Sequence, residues 1–291
     1  MESRPRILVM GATGQVGGAV VDRLRASSAA EIIAAARDVA SARDLGVPVV
    51  HLDLDLVDTF PAALWKVDRV FMATGYSVEM LRQSKDLISY AKRAGVKVIV
   101  HLGAGGDDDT RIAHYGWHQF IERYIEWSRM TFIHLRPAPF MQGILGFAGE
   151  KYVNSGVFHH YIGGARLSWV DCIDVAAVAA ECLLRPADHA GNTYRLGYDA
   201  KTGDEIADLM SRAVGQPFRY EARPPIEFLT HALAARAEPA YMKCVFDNYT
   251  DLTNGLDEQA DETFENFPTL VGRSPRMLAD FFREHADELR Y

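Results

Sequence analysis

Residues 6–17 read Arg-Ile-Leu-Val-Met-Gly-Ala-Thr-Gly-Gln-Val-Gly, an apolar run that ends at the first of three evenly spaced glycines. The run is typical of a buried β-strand, and a helical pattern begins near Gln15. Glycines at this spacing permit a tight turn, close approach of the backbone to a pyrophosphate, and close packing of helix on strand. The stretch therefore predicts a dinucleotide-binding turn. Because the amides at the helix start would face the phosphates, the expected contacts are Gly11, Thr13, Gly14, Gln15, Val16 and Gly17.

Short apolar runs continue to alternate with helical patterns along the first half of the chain. Further strands are predicted at Glu31–Ala36 and at residues 48–52, 69–73, 97–102 and 132–135, the last stopped by Arg136-Pro137. Such alternation predicts an α/β fold with a doubly wound parallel sheet, covered by helices on both faces.

The alternation of strand and helix patterns becomes less regular after residue 137, and this change suggests that the chain has two parts. Residues 1–136 are predicted to form an NADP-binding Rossmann domain, with residues 168–198 returning to it. Residues 137–291 are predicted to form a smaller, mostly helical region that shapes and caps a substrate cleft. A helix over residues 174–184, with Asp174 as its N-cap, is expected within that region.

Composition excludes several classes of protein. The 291 residues carry 31 Lys+Arg against 39 Asp+Glu, a net charge of −8, which argues against binding to nucleic acid or to an anionic membrane. No apolar run reaches the ~18 residues of a membrane span, and the N-terminus has no secretory pattern. Cys172, Cys182 and Cys244 are scattered and have no metal-ligand spacing. We expect a cytoplasmic protein with a small-molecule partner and no metal, either a monomer or a homodimer.

The residue that selects the dinucleotide follows the second predicted strand, about twenty residues after the glycine loop. An acid there binds the ribose 2′-hydroxyl of NAD, whereas an arginine accommodates the 2′-phosphate of NADP. Arg37 occupies this position and favours NADP(H) over NAD(H). Asp38 follows it directly and is the competing acid, while Arg43 would add positive charge.

Further cofactor contacts are expected where the third and fourth strands end. Asp53 and Leu54 are predicted to lie beside the adenine, with Asp55 as the alternative carboxylate. Small residues suit the ribose groove, because anything larger would block it. The predicted ribose contacts are Ala73, Thr74 and Gly75.

Together with further segments, these motifs resemble the NmrA-like group of atypical short-chain dehydrogenases. The resemblance implies an NADP-binding Rossmann domain with a smaller C-terminal region over a substrate cleft. It also implies reduction of quinones, triarylmethane or azo dyes, or enones, although some members bind the cofactor as redox sensors. Beyond the glycine loop, Arg37-Asp38 and Leu52-Asp-Leu54, the matching segments are Trp117-His-Gln-Phe-Ile-Glu122, Leu135-Arg-Pro-Ala-Pro-Phe-Met141, Trp169-Val-Asp-Cys-Ile-Asp-Val-Ala176 and Val214-Gly-Gln-Pro-Phe218.

The resemblance also raises a question about catalysis. Ordinary short-chain dehydrogenases carry Tyr-x-x-x-Lys on the helix after the fifth strand, and the equivalent positions here are His114 and His118. Tyr115 is one residue out of phase, a rotation of about 100° on a helix. The two histidines should share one helix face.

Three interpretations of this pair remain open. In the first, His118 holds the nicotinamide ribose while His114 acts as an acid or polar substrate contact, since histidine titrates near neutrality. Alternatively, both are structural residues in a wet cleft. In the third interpretation they bind a metal, with an aspartate from residues 107–109.

The tyrosine that serves as general acid in ordinary short-chain dehydrogenases is absent. This favours acceptors whose reduced anion is delocalised, such as quinones and dyes. The leading hypothesis is an NADPH-dependent oxidoreductase that transfers hydride to a small flat acceptor of quinone, dye or enone type. The alternatives are an NADP(H)-binding redox-sensing regulatory protein without turnover, and a biosynthetic reductase or isomerase. Aromatic and thioether side chains suit a flat apolar substrate, and the expected contacts are Tyr76, Trp117, Phe140, Met141 and Trp169.

Overall fold

A computed structural model describes residues 4–291. Residues 4–137 contain six strands and four α-helices. The strands are β1 (Arg6–Val9), β2 (Glu31–Ala36), β3 (Val49–His51), β4 (Arg69–Met72), β5 (Val98–Leu102) and β6 (Thr131–Pro137). The helices are α1 (Gln15–Ser27), α2 (Phe60–Ala63), α3 (Met80–Ala94) and α4 (Ala113–Ser128).

The remaining residues contain short strands and eight further helices. The strands are β7 (Gly146–Phe147), β8 (Glu150–Lys151), β9 (Val153–Asn154), β10 (Val157–His160), β11 (Leu167–Trp169), β12 (Thr193–Leu196), β13 (Asp199–Lys201) and β14 (Arg219–Ala222). The helices are α5 (Cys172–Leu184), α6 (Pro186–His189), α7 (Gly203–Val214), α8 (Pro225–Ala234), α9 (Pro239–Thr253), α10 (Phe267–Val271), α11 (Leu278–Glu284) and α12 (Ala286–Leu289).

Seven strands form the central sheet, in the order β12-β6-β5-β4-β1-β2-β3, and every neighbouring pair is parallel. The predicted doubly wound parallel sheet is therefore confirmed. The chain winds outward from β1 to β3 and then returns to place β4 on the other side of β1. Ligands bind at such a reversal of strand order. The glycine loop after β1 and residues 73–75 after β4 flank this point.

Both faces of the sheet are buried, because alternate residues of a strand point to opposite sides. Ile7 and Val9 belong to one apolar cluster, which α1 and α5 cover, while Leu8 belongs to the other, which α3 and α4 cover. Residues 175–180 of α5 are all buried, so this uncharged stretch is a core helix. No helix within residues 4–291 is long and apolar enough to cross a membrane.

Two predicted boundaries are wrong. The helix α5 begins at Cys172, and its N-cap is Asp171, whose side chain accepts a hydrogen bond from the Ile173 amide at 2.9 Å. Asp174 lies inside the first turn, fully buried, with its carboxylate 2.7 Å from Arg273. An aspartate can cap only where its own backbone is extended, as that of Asp171 is.

The sixth strand is also longer than predicted, running through Arg136 to Pro137. Pro137 is the last residue of this strand and pairs with Leu196 of β12. Short strands interrupt the C-terminal region as well. One three-stranded sheet has the order β14-β10-β9, and two-stranded sheets join β11 with β13 and β7 with β8. Runs of two to four residues carry too little periodicity to be recognised in the sequence.

Candidate functional site

The glycine loop between β1 and α1 has a conformation that only glycine accommodates. Gly11 has a φ of +62°, in the left-handed region, and its carbonyl accepts a hydrogen bond from the Gly14 amide at 2.8 Å. A Cβ at Gly17 would lie 2.2 Å from the Gly11 carbonyl oxygen. The first turn of α1 therefore packs directly on the loop, with Thr13 and Gly14 exposed and the Val16 side chain buried.

This helix start presents free donors. Within residues 4–291, the amides of Gln15, Val16 and Gly17 have no hydrogen-bond partner, and the first intrahelical bond runs from Gly18 to Gly14. No side chain caps the helix, and its first turn contains no acidic residue. Uncapped amides at the positive end of a helix dipole form an anion site. The loop thus fits the pyrophosphate of a dinucleotide.

Arg37 follows β2, the strand that pairs with β1 in the sheet. It is exposed, and within residues 4–291 it forms no ion pair. The neighbouring Asp38 turns back on its own chain, where its carboxylate accepts a hydrogen bond from the Ala40 amide at 2.9 Å. The competing acid is therefore engaged in a local turn, while the guanidinium of Arg37 remains available to a phosphate. Arg43, in the turn that follows, is also exposed.

The two carboxylates after β3 have different surroundings. Asp55 accepts hydrogen bonds at 2.8 Å from both Gln83 and Arg82, and these contacts lower the pKa of Asp55. Asp53 is half-buried and accepts a hydrogen bond from the Asp55 amide at 2.9 Å. Leu54 is half-buried and packs against the core. The carboxylate of Asp55 is thus hydrogen-bonded to α3, and Asp53 remains the predicted adenine contact.

A cleft of about 270 Å³ opens at the carboxyl ends of β4, β5 and β6, beneath α9. It brings together residues predicted separately as cofactor, catalytic and substrate contacts. Ala73 does not line the cleft. It lies beside the glycine loop, because a Cβ added at Gly11 would be 3.7 Å from the Ala73 Cβ. The predicted residues that line the cleft are Gln15, Thr74, Gly75, Tyr76, His114, His118, Phe140 and Trp169.

Two predicted substrate contacts, Met141 and Trp117, are not among the residues that line the cleft. Met141 is fully buried in the core, at the start of a 3₁₀ turn whose preceding residue, Phe140, faces the cleft instead. Trp117 packs on the core, with its ring 6.1 Å from that of Tyr241. Tyr115 lines the cleft in its place, because residues three apart on a helix are neighbours and Tyr115 adjoins His118.

Several lining residues are not predicted by the sequence, and α9 contributes a group of them that includes Tyr241, Asn248 and Tyr249. Their spacing along that helix is i, i+7 and i+8, so helical periodicity groups them on one face. No motif identifies the face as part of a site, because its opposite wall lies more than a hundred residues earlier in the chain. The aromatic and polar residues missed in this way include Tyr115, His160, Tyr241, Asn248 and Tyr249.

The two histidines of α4 face the cleft as neutral rings. Burial lowers the pKa of His114 to about 3 and that of His118 to about 4, and Nδ1 of each ring is buried without a partner. A neutral imidazole can still donate one N–H hydrogen bond. The pair can therefore orient a ribose hydroxyl or an acceptor carbonyl, but it does not hold an imidazolium proton at physiological pH.

The metal interpretation of this pair finds no geometric support among the described residues. The one group there with metal-ligand geometry consists of His101, Glu122 and His134, and all three are buried. Its carboxylate is already paired with Arg136, at 2.9 and 2.6 Å. A divalent cation beside that guanidinium would face strong repulsion in a buried setting.

Acidification should destabilise the fold through these rings. In the unfolded chain histidine titrates near 6.5, whereas His114 and His118 stay neutral in the fold down to about pH 3 and 4. The contribution of the two neutral rings to the unfolding free energy is therefore fully present above pH 6.5 and is lost as the pH falls towards 4. Between pH 7.5 and 5 we expect a loss of at most about 2 kcal/mol per ring, measured by urea denaturation. The variant His118→Gln should lose less over the same interval, and equal losses would contradict this origin.

The parallel sheet, the uncapped glycine loop at its strand-order reversal and the adjoining cleft define a dinucleotide-binding protein of the Rossmann type. The chain belongs to the NmrA-like family, whose model matches residues 3–272. The resemblance found in the sequence motifs is thereby confirmed.

Relatives of known name extend over nearly the whole chain. An NAD(P)H azoreductase from Xenophilus azovorans is 32% identical over 290 residues, covering 96% of this chain and 98% of that protein. Quinone oxidoreductase 2 of Escherichia coli is 27% identical over 228 residues, covering 76% and 79% of the two chains. The structure of Citrobacter sp. triphenylmethane reductase with NADP(H) has a TM-score of 0.80 at 24% identity. It covers 96% of this chain and 99% of that one, and it supports the fold.

Proposed function

We propose that the protein is an NADPH-dependent oxidoreductase that transfers hydride to a small flat acceptor of the quinone, dye or enone type. One observation carries the proposal: Gln15, at the start of α1 where three amides lack partners, lines the same cleft as the aromatic rings of Phe140 and Trp169. The similarity to an azoreductase over 96% of the chain supports the same reaction class.

The proposed cofactor contacts follow the groove from the adenine to the nicotinamide. Asp53 and Leu54 lie at the adenine end and Arg37 at the 2′-phosphate. The loop amides bind the pyrophosphate, and residues 73–75 lie along the ribose, with His118 as a hydrogen-bond donor to the nicotinamide ribose. The proposed loop contacts are Gly11, Thr13, Gly14, Gln15, Val16 and Gly17.

The acceptor is proposed to lie between Phe140 and Trp169, with Tyr76 at the mouth, where 56% of its side chain is exposed. The bound nicotinamide would supply the hydride. The protein's part is to hold the acceptor ring in position, exclude water and donate a neutral N–H hydrogen bond from His114. No strong acid is needed, because a reduced quinone or dye delocalises its charge and takes its proton from solvent.

Turnover of a panel of acceptors tests this proposal. Protein, NADPH and a series of quinones, azo dyes and enones are mixed, and consumption of NADPH is followed at the nicotinamide absorbance band. We expect turnover of at least one acceptor and a rate that shows no inflection near pH 6.5. Tight NADPH binding without turnover of any acceptor would contradict the proposed reductase function and favour the redox-sensing alternative.

Replacing Arg37 by alanine should weaken the binding of NADPH but not that of NADH. We expect the Kd for NADPH to rise by about ten- to a hundredfold, since a hydrogen bond to a charged group contributes ~1.5–3 kcal/mol. The Kd for NADH should change little, as NADH has no 2′-phosphate. Both constants are measured by fluorescence titration. Arg23→Ala, an exposed position of α1, serves as the charge-matched control. Equal weakening of both dinucleotides would remove the assignment.

A further inference from the structure

A second cavity, of about 280 Å³, adjoins the cleft. Five residues line both cavities: Tyr115, Ala138, Pro139, Leu167 and Asn248. The second cavity is bounded by the loop after β5 and by the segment that follows α9. We name it the acidic chamber, because its lining includes Asp107, Asp109, Asp251, Asp257, Glu258 and Glu262.

Ion pairing neutralises only part of this charge. Arg195 lies 2.9 Å from Asp107 and 2.8 Å from Glu262, and Arg136 is paired with carboxylates outside the lining. Arg111 is the remaining arginine of the lining, and it is exposed. Among the residues that the structure describes, the acids of the chamber that form no ion pair are Asp109, Asp251, Asp257 and Glu258.

Two buried polar atoms in the same lining also lack partners. The Asn248 side chain is 8% exposed and donates from Nδ2 to the Tyr115 hydroxyl at 3.2 Å, which leaves its Oδ1 as a free acceptor. The Ser168 side chain is 3% exposed, and its Oγ has no partner. A buried acceptor without a donor costs ~1–3 kcal/mol. The Asn248 Oδ1 can only accept and therefore favours a ligand with an N–H donor, which the Ser168 hydroxyl can also accept.

We propose that the acidic chamber binds the ammonium group of acceptors whose flat ring occupies the cleft, so that the enzyme prefers substrates with a cationic amine arm. This inference rests on the proposed reductase function. Because Tyr115 and Asn248 line both cavities, a ring in the cleft and an arm in the chamber would both contact them, and the Asn248 Oδ1 would accept the ammonium N–H. The surplus carboxylates, with Asp251 and Asp257 both half-buried, supply the countercharge.

The lining favours an organic ammonium over a hydrated metal ion. Tyr115, Leu167 and Phe264 contribute aromatic and apolar surface to the chamber. Such surface suits a substituted ammonium, which can lie against aromatic faces, but it offers no ligand to a divalent cation. Burial raises the pKa of Asp257, and the negative charge of Asp251 adds to this effect, so a bound cation would relieve their repulsion.

Three naphthoquinones that differ only in the arm test the inference. The arms are 3-(dimethylamino)propyl, which is protonated at neutral pH and keeps one N–H, its uncharged carbon isostere 4-methylpentyl, and the anionic 3-carboxypropyl. We expect kcat/KM with NADPH to be about tenfold higher for the ammonium arm than for the isostere, and lowest for the carboxylate. The preference should shrink as salt is added. Equal values for the ammonium and carbon arms would overturn the inference.

Variants of the protein test whether the acidic chamber causes the preference for the ammonium arm. In the double variant Asp251→Asn/Asp257→Asn, the ratio of kcat/KM for the ammonium arm to that for the carbon arm should fall towards one. Asp208→Asn, on the exposed side of α7, should keep the original ratio. If both variants keep it, the acidic chamber does not recognise the arm.

A binding measurement separates this inference from the proposed function. Calorimetric titration of the protein with the ammonium and carbon quinones, in the presence of NADP, needs no turnover. If no quinone is reduced but the ammonium form binds about tenfold more tightly, the proposed function fails and the chamber stands. If both quinones are reduced and bind equally, the reductase stands and the chamber fails.

Discussion

Gly17→Ala is expected to weaken NADPH binding by at least about a hundredfold. The added Cβ would lie 2.2 Å from the Gly11 carbonyl oxygen and 2.5 Å from the carbonyl carbon, and both are backbone atoms. Since ordinary contacts of a Cβ begin near 3.4 Å, the loop and the start of α1 must move apart by about an ångström. The amides of Gln15 and Val16 then no longer converge on one pyrophosphate. Losing two charge-assisted hydrogen bonds, at ~1.5–3 kcal/mol each, accounts for the expected change.

Stability should fall in the same variant, by about 1–3 kcal/mol, as overpacking typically costs. The Kd is measured by titration on protein whose fold has been checked by circular dichroism, and the unfolding free energy by urea denaturation. Gly18→Ala is the matched control, because its Cβ would meet the Ala12 carbonyl oxygen at 3.3 Å, a contact that a small shift relieves. An unchanged Kd for NADPH in Gly17→Ala would refute the role of the glycine loop.

The parts of the fold that could be predicted depend on local signals. The strand β1, the glycine spacing and the start of α1 lie within twelve consecutive residues, and each follows from steric rules that act over a few bonds. The parallel sheet follows from the alternation of runs with helices, because parallel strands need long crossovers. These features required no knowledge of tertiary contacts.

The cleft wall could be predicted only in part, because its two sides are distant in the chain. His114 and His118 were identified from a motif, and helical spacing placed both on one face. The opposite side comes from α9, where Asn248 donates to Tyr115 across 133 positions of sequence. Nothing in the pattern around Asn248 distinguishes it from any polar residue near a helix end.

The errors have equally specific causes. A choice between Asp171 and Asp174 as the cap depends on which residue has an extended backbone, and the sequence Asp-Cys-Ile-Asp permits both. The thioether of Met141 suits a flat apolar substrate, but neighbours in a tight turn point to different sides, and of the two residues only Phe140 lines the cleft. Residue type alone did not reveal that the preceding segment, Leu135-Arg-Pro, carries a buried ion pair.

Arg136→Met is expected to reduce the unfolding free energy by about 3–5 kcal/mol. Two parallel hydrogen bonds join the guanidinium of Arg136 to Glu122, with Nε to Oε1 at 2.9 Å and Nη2 to Oε2 at 2.6 Å. Glu122 is completely buried, so removal of the arginine leaves a carboxylate without a countercharge inside the protein. The same bond fixes α4 to β6, and α4 carries His114 and His118. Loss of the pair should therefore weaken NADPH binding as well.

Urea denaturation of three variants measures this effect. Arg136→Met/Glu122→Gln removes both charges and should recover much of the loss, because no buried charge is left unpaired. Arg123→Met is the control: its pair with Glu126, at 2.8 Å, lies at the surface and should contribute less than about 1 kcal/mol. If Arg136→Met costs no more than Arg123→Met, the bond between α4 and β6 does not hold the helix in place. The position of the two histidines would then depend on apolar packing of α4 alone.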